Sequence, residues 1–211
     1  MQTLPLDQVE GFERRLVETT WHARSWTRRR DGLALSLGLL GLRWEEVSRL
    51  LVGDLGADGT VWVRTAKKGT PRRLPAGQPL VNAIRDMVVN APVSSVYYRR
   101  SHSRVFFTKS GLPLAYTALS RTCRLWTRKY FGRPFTLHCL RHTAAARIYY
   151  ATRDVLAVQR FLGHVSLRST SYYLAKLIPV EVAGLPTFSG VGLRVGLRLF
   201  DPDSIQERRV S

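Results

Sequence analysis

The chain has 211 residues, 45% hydrophobic and 23% charged, a balance that excludes a disordered polymer and leaves room for a large folded core. Its 33 lysines and arginines against 15 aspartates and glutamates give a formal net charge of +18, which makes polyanions, nucleic acid above all, the expected partner and an anionic membrane surface the weaker one. Cys123 and Cys139 are the only cysteines, which excludes a disulfide framework; the longest uncharged apolar run, GLALSLGLLGL at 32–42, is too short to span a bilayer.

Residues 5–20 have a helical period with an acidic first turn, and Asp7 is placed to cap it. Residues 28–51 read as two helices around the apolar run. At 59–77, GTVWVRTAKKGTPRRLPAG changes period: Val61 and Val63 alternate with polar residues, Lys68-Gly69 turns, and the chain returns through Arg72 to Pro75. That pattern predicts a β-hairpin. A helix is expected at 78–91, a strand over RVFFT at 104–108, and a basic helix at 114–129 carrying Arg121, Arg124, Arg128 and Lys129. Helices at about 138–150, 153–163 and 167–177 follow. The tail, 178–211, is glycine-rich and alternating, fitting a strand or a loose arm. The two cysteines lie in apolar helical contexts and read as buried free thiols. The expectation is a mainly helical α+β domain over 1–177 with a small antiparallel sheet. The N-terminus lacks the pattern of a signal peptide, and the thiols fit a reducing cytosol.

The stretch FTLHCLRHTAAARIYY, 135–150, places His138, Arg141 and His142 at the edge of an apolar helix. Three readings are open from these residues alone. An arginine fork matches phosphate oxygens, and a neighbouring histidine can bond the same phosphate or move a proton. His138 and His142 are spaced as two zinc ligands on one helix face, but Cys139 stands where a zinc protease would carry its glutamate. The plainest reading is a polar helix start facing solvent. Further on, Leu162-Gly163-His164 reads as a helix stop with a histidine in the turn, and Tyr173 falls on the next helix.

Taken together, HCLRH, LGH and the later tyrosine resemble the C-terminal signature of the tyrosine recombinases, the phage-integrase family. GLRWEEVSRLLVGDL resembles that family's first arginine box, with Arg43 as the arginine and Glu46 as its buried partner. KKGTPRRLP resembles the hairpin that carries the family's lysine, which falls on Lys67, with Lys68 as the fallback. The second box falls on His138 and Arg141, the later histidine on His164 and the nucleophile on Tyr173, its neighbour Tyr172 being the one to exclude.

The resemblance implies the tyrosine-recombinase catalytic fold and a site-specific DNA recombinase, with Arg43, Lys67, His138, Arg141, His164 and Tyr173 catalytic. Type IB topoisomerase chemistry and a non-catalytic DNA-binding regulator on the same fold are the alternatives. It implies no cofactor and no metal. Lys68, Arg72, Arg73, Arg121 and Arg124 are expected to contact DNA, as are Arg28–Arg30, Arg99, Arg100 and Arg128. The expected partner is double-stranded DNA, bound as a homotetramer with a candidate accessory DNA-bending protein, in the cytoplasm at the nucleoid and away from membranes. Most relatives carry a helical clamp domain ahead of this region; the expectation is either an excised catalytic domain or a naturally short protein, which Met1 slightly favours. The tail is expected to dock on a neighbouring subunit.

Overall fold

The computed structural model describes residues 2–64, 69–92, 102–166 and 170. The expected single helix at 5–20 is three joined pieces: a tight turn Leu6–Gln8, helix α1 (Val9–Leu16) and a wider π turn Val17–Trp21. Asp7 lies within the first turn and does not cap; the residue before α1 is Gln8, which makes no side-chain cap bond. α1 turns Val9, Phe12 and Leu16 inward, the stripe that a 3.6-residue period places on one face. Helix α2 (Trp26–Leu39) starts at Ser25, whose hydroxyl accepts the Arg28 amide. Gly41, in the left-handed region at φ 93°, then turns the chain toward the short helix α3 (Trp44–Arg49).

Strands β1 (Thr60–Val63) and β2 (Arg72–Pro75) pair antiparallel, Val61 opposite Leu74 and Val63 opposite Arg72. Val61, Val63, Arg72 and Leu74 are buried, while Trp62 and Arg73 face out. Helices α4 (Gln78–Val89), α5 (Tyr116–Phe131), α6 (Leu137–Thr152) and α7 (Val155–Leu162) complete the described chain. Thr136 caps α6 through the Cys139 amide, Asp154 caps α7 through the Leu156 amide at 2.7 Å, and Gly163 ends α7 left-handed at φ 64°.

RVFFT does not form a strand. It makes isolated bridges, Leu51 to Arg104 and Phe107 to Pro113, and Val105, Phe106 and Phe107 are all buried. The chain bends at Val105 and Phe106, and only Arg104 and Phe107 have a bridge partner, so the buried apolar run makes no ladder. The expected helix at 167–177 lies outside the described residues apart from Thr170, and the tail lies wholly outside them.

α2 is the axis. It packs against α4, α5 and α6 and the π turn, and its apolar second half, 32–39, is buried on nearly every face, as a stretch apolar all round must be. Gly32 lets the π turn approach: a Cβ there would lie 1.9 Å from the Thr20 hydroxyl oxygen. α6 is buried over its first half, from Leu137 to Ala146, except His138. Cys123 of α5 and Cys139 of α6 are free and buried, and burial pushes the Cys123 thiol up to about 12.

Candidate active site

The site forms where the start of α3, the start of α6, strand β2 and the end of α7 meet around one carboxylate. Arg43 directly precedes α3; its amide donates to Glu46 Oε2 at 2.7 Å and its Nη1 lies 3.3 Å from Oε1. Glu46 is 4% exposed. Arg72 grips both its oxygens, Nη1 to Oε1 at 2.9 Å and Nη2 to Oε2 at 3.1 Å. Arg141 Nη1 stands 3.6 Å from Oε2. Burial pushes the Glu46 carboxyl upward, but the Arg72 bonds and the charges of Arg72 and Arg141 outweigh it, so the group sits below its ordinary value. One buried anion thus orders three arginines.

Arg141 is further fixed by backbone carbonyls. It donates from Nη1 to Gly41 and from Nη2 to Leu162 at 2.7 Å. Arg72 Nε donates to the Phe161 carbonyl at 2.6 Å. Two guanidinium groups therefore cap the carboxyl end of α7, where unsatisfied carbonyls and the helix dipole favour cations. Arg43 keeps 34% of its side chain exposed against 6% for Arg141, so it forms the open side of the group.

His164 follows Gly163 directly. Its amide donates to the Gln159 carbonyl at 3.0 Å, and its ring Nδ1 lies 3.0 Å from Thr170 Oγ1. Burial first, then the charges of Arg141, Arg43 and Arg72, push the ring down to about 4, so at neutral pH it is a neutral hydrogen-bonding group, not a cation. His138 is exposed on the first turn of α6. Its ring centroid stands 6.4 Å from that of His142, which is 7% exposed and held down to about 4 by burial, then by His138 and Arg141. Among the described residues no cluster of three or more His, Cys, Asp or Glu is placed to hold a metal ion.

The structure therefore brings together Arg43, Arg141 and His164, with His138 one turn from Arg141 along α6. Lys67, Lys68 and Tyr173 lie outside the described residues, as do Arg99 and Arg100. The surface cations divide. Arg73 faces outward on β2, 3.9 Å from Asp58, and Arg121, Arg124 and Arg128 are exposed along α5, lining an open groove of about 680 Å³ with Tyr116, Leu125 and Thr136. Arg28 is exposed over the Trp126 ring. Three expected DNA contacts are corrected. Arg72 is turned inward and held by Glu46 and Phe161, Arg30 is buried on Asp31 and the Phe107 carbonyl, and Arg29 is paired with Asp86 and the Trp21 carbonyl. The functional part that sequence reasoning missed is Arg72's bond to Glu46; the inward phase of β2, Arg72-Arg73-Leu74 opposite Val63-Trp62-Val61, was the available signal.

A mainly helical domain with a small antiparallel hairpin is the fold of tyrosine recombinase catalytic domains. A crystal structure of XerH site-specific recombinase bound to difH substrate superposes with a TM-score of 0.65 at 21% identity, covering 82% of this chain and 50% of that one. The chain belongs to the phage integrase family, whose model matches residues 16–178. Tyrosine recombinase XerC of Neisseria gonorrhoeae is 31% identical over 136 residues, 63% of this chain and 42% of that protein. Tyrosine recombinase XerA of Pyrococcus furiosus is 30% identical over 174 residues, 82% of this chain and 58% of that protein. The chain thus spans about half the length of the curated relatives it matches.

Proposed function

We propose that the chain is the catalytic part of a site-specific DNA recombinase that cuts and rejoins duplex DNA through a 3′-phosphotyrosine intermediate. The observation that carries this reading is the convergence of Arg43 and Arg141 on the buried Glu46, with His164 beside them. A phosphodiester gains negative charge as phosphorus is attacked, and donors fixed before the reaction stabilise that charge at no cost in reorganisation. Arg43 and Arg141 hold the two non-bridging oxygens. The Tyr173 phenolate oxygen forms a bond to phosphorus as the bond to the 5′ oxygen breaks. The departing 5′ oxygen takes a proton from Lys67, the general acid. His138 receives the phenol proton, and the neutral His164 ring bonds the phosphate. Reversal with a different 5′-hydroxyl rejoins the strand without an external energy source. The family membership supports duplex DNA as substrate; assembly into a homotetramer, help from a DNA-bending protein, docking of 178–211 on a neighbour and a cytoplasmic site of action belong to the same proposal.

The test is a nicked suicide substrate drawn from the native genetic neighbourhood, incubated with wild type and with Tyr173→Phe in the presence of EDTA. Wild type is expected to leave a covalent protein–DNA adduct on a denaturing gel, and Tyr173→Phe none. Arg43→Ala or Arg141→Ala is expected to slow adduct formation on the order of 100-fold, as loss of a fixed oxyanion donor does. Binding without an adduct supports the regulator reading, and plasmid relaxation without strand exchange the topoisomerase reading.

A further inference from the structure

We propose that Arg72 is a positioning residue: it ties the β1–β2 hairpin to the end of α7 and occupies Glu46 so that Arg43 and Arg141 keep donors for the phosphate. This rests on the recombinase reading above.

An arginine on the inward face of a strand is costly unless its donors are matched. Here they are. Nη1 and Nη2 take both Glu46 oxygens at 2.9 and 3.1 Å, and Nε donates to the Phe161 carbonyl at 2.6 Å. Beside this contact the Thr70 amide donates to the Gly163 carbonyl at 3.3 Å. Gly163 makes the approach possible. A Cβ there would lie 2.7 Å from Arg72 Nη1 and 2.9 Å from the Thr70 carbonyl oxygen, and its φ of 64° disfavours any side chain.

These contacts join two arms that sequence keeps far apart. β2 follows directly on the segment that holds Lys67. His164 follows the end of α7 by two residues, and Tyr173 comes nine residues later in the sequence. Glu46, the third party, is also the partner of Arg43 and Arg141, but at 3.3 and 3.6 Å. Of the guanidinium contacts on the carboxylate, the shortest therefore belong to Arg72. Removing them would open the carboxylate to the two remaining guanidinium groups and shift Arg43 and Arg141 slightly out of line with a phosphate that they still contact. A lysine cannot replace this function, because it is a single point of charge without a fork.

The experiment compares wild type, Arg72→Lys and Gly163→Ala by adduct formation on the suicide substrate, DNA affinity across salt concentrations, and amide hydrogen exchange of the free proteins. The expected result for both variants is adduct formation slowed by about tenfold to a hundredfold, since small misplacements of reacting groups cost that much, with affinity and salt slope unchanged. Exchange is expected to speed up at 69–75 and 162–165 while α2 keeps its protection. A wild-type rate in Arg72→Lys overturns the proposal. So does a salt slope reduced by about 0.9, the mark of a lost phosphate contact. Exchange that is unchanged at those segments, or faster throughout α2, overturns it too. If wild type itself forms no adduct the recombinase reading falls, while the exchange data still decide whether Arg72 couples hairpin and helix.

Discussion

Glu46, His142 and His164 are the residues whose ionisation the fold alters most visibly at the site, and all three make the protein acid-sensitive. The two histidines are held down to about 4 in the folded chain, against an ordinary value of 6.5. Between those values the unfolded chain binds more protons than the folded one, so stability falls as pH drops from about 6.5 to about 4. Glu46 acts in the next window down. Its folded value lies below the ordinary 4.5, so its contribution is complete above that pH and is lost as pH falls through the lower value. Urea midpoints taken from pH 7.5 to 4 should decline across the histidine window, and His142→Gln should flatten that decline. A His142→Gln midpoint that follows wild type throughout would show that the imidazole titrates equally in both states.

Between elements, the tightest steric condition is at Gly32. Its Cβ position falls 1.9 Å from Thr20 Oγ1 and 2.3 Å from Thr20 Cβ, and Thr20 is wholly buried with its hydroxyl bonded to the Leu16 carbonyl. Gly32→Ala should therefore lose about 1–3 kcal/mol to overpacking, despite alanine's better helix propensity, in urea denaturation at neutral pH. A neutral or stabilising result would mean that the π turn moves aside freely. Gly32 also shows what a linear reading can and cannot reach. Periodicity located α2, α4, α5, α6, α7 and the hairpin because each signal is local: apolar spacing, the change of period at 59–77, a glycine stop at Gly163. The arginine and histidine boxes were legible because their residue types and spacing are local as well. Arg72 was misassigned because its partner Glu46 lies 26 positions upstream and Phe161 lies 89 downstream. The same holds for Arg29 and Arg30, whose distant partners are Asp86, 57 positions on, and the Phe107 carbonyl, 77 positions on. RVFFT looked like a strand because burial on both faces imitates a central strand when no ladder partner is present.

For the whole molecule, the charge of +18 fixes the form of the proposed DNA binding more firmly than any single contact. Binding a duplex releases condensed counterions, so log affinity should fall linearly with log salt, with a slope near 0.9 for each phosphate neutralised. The exposed cations are unevenly placed, and Arg121, Arg124 and Arg128 share one open groove along α5 with the N-terminal cap of α6. α6 also carries His138 and Arg141, so a duplex on α5 would be held in register with the proposed reacting group. Replacing Arg121, Arg124 and Arg128 together with glutamine should weaken DNA binding and reduce the salt slope by roughly 2.7, three times the single-phosphate value. Arg72→Lys should leave that slope where it was. Fluorescence anisotropy on a labelled duplex from 50 to 300 mM salt measures both. A triple variant with an unchanged slope would move the interface off α5, and the outward-facing Arg73 and Arg28 would become the cations to replace next.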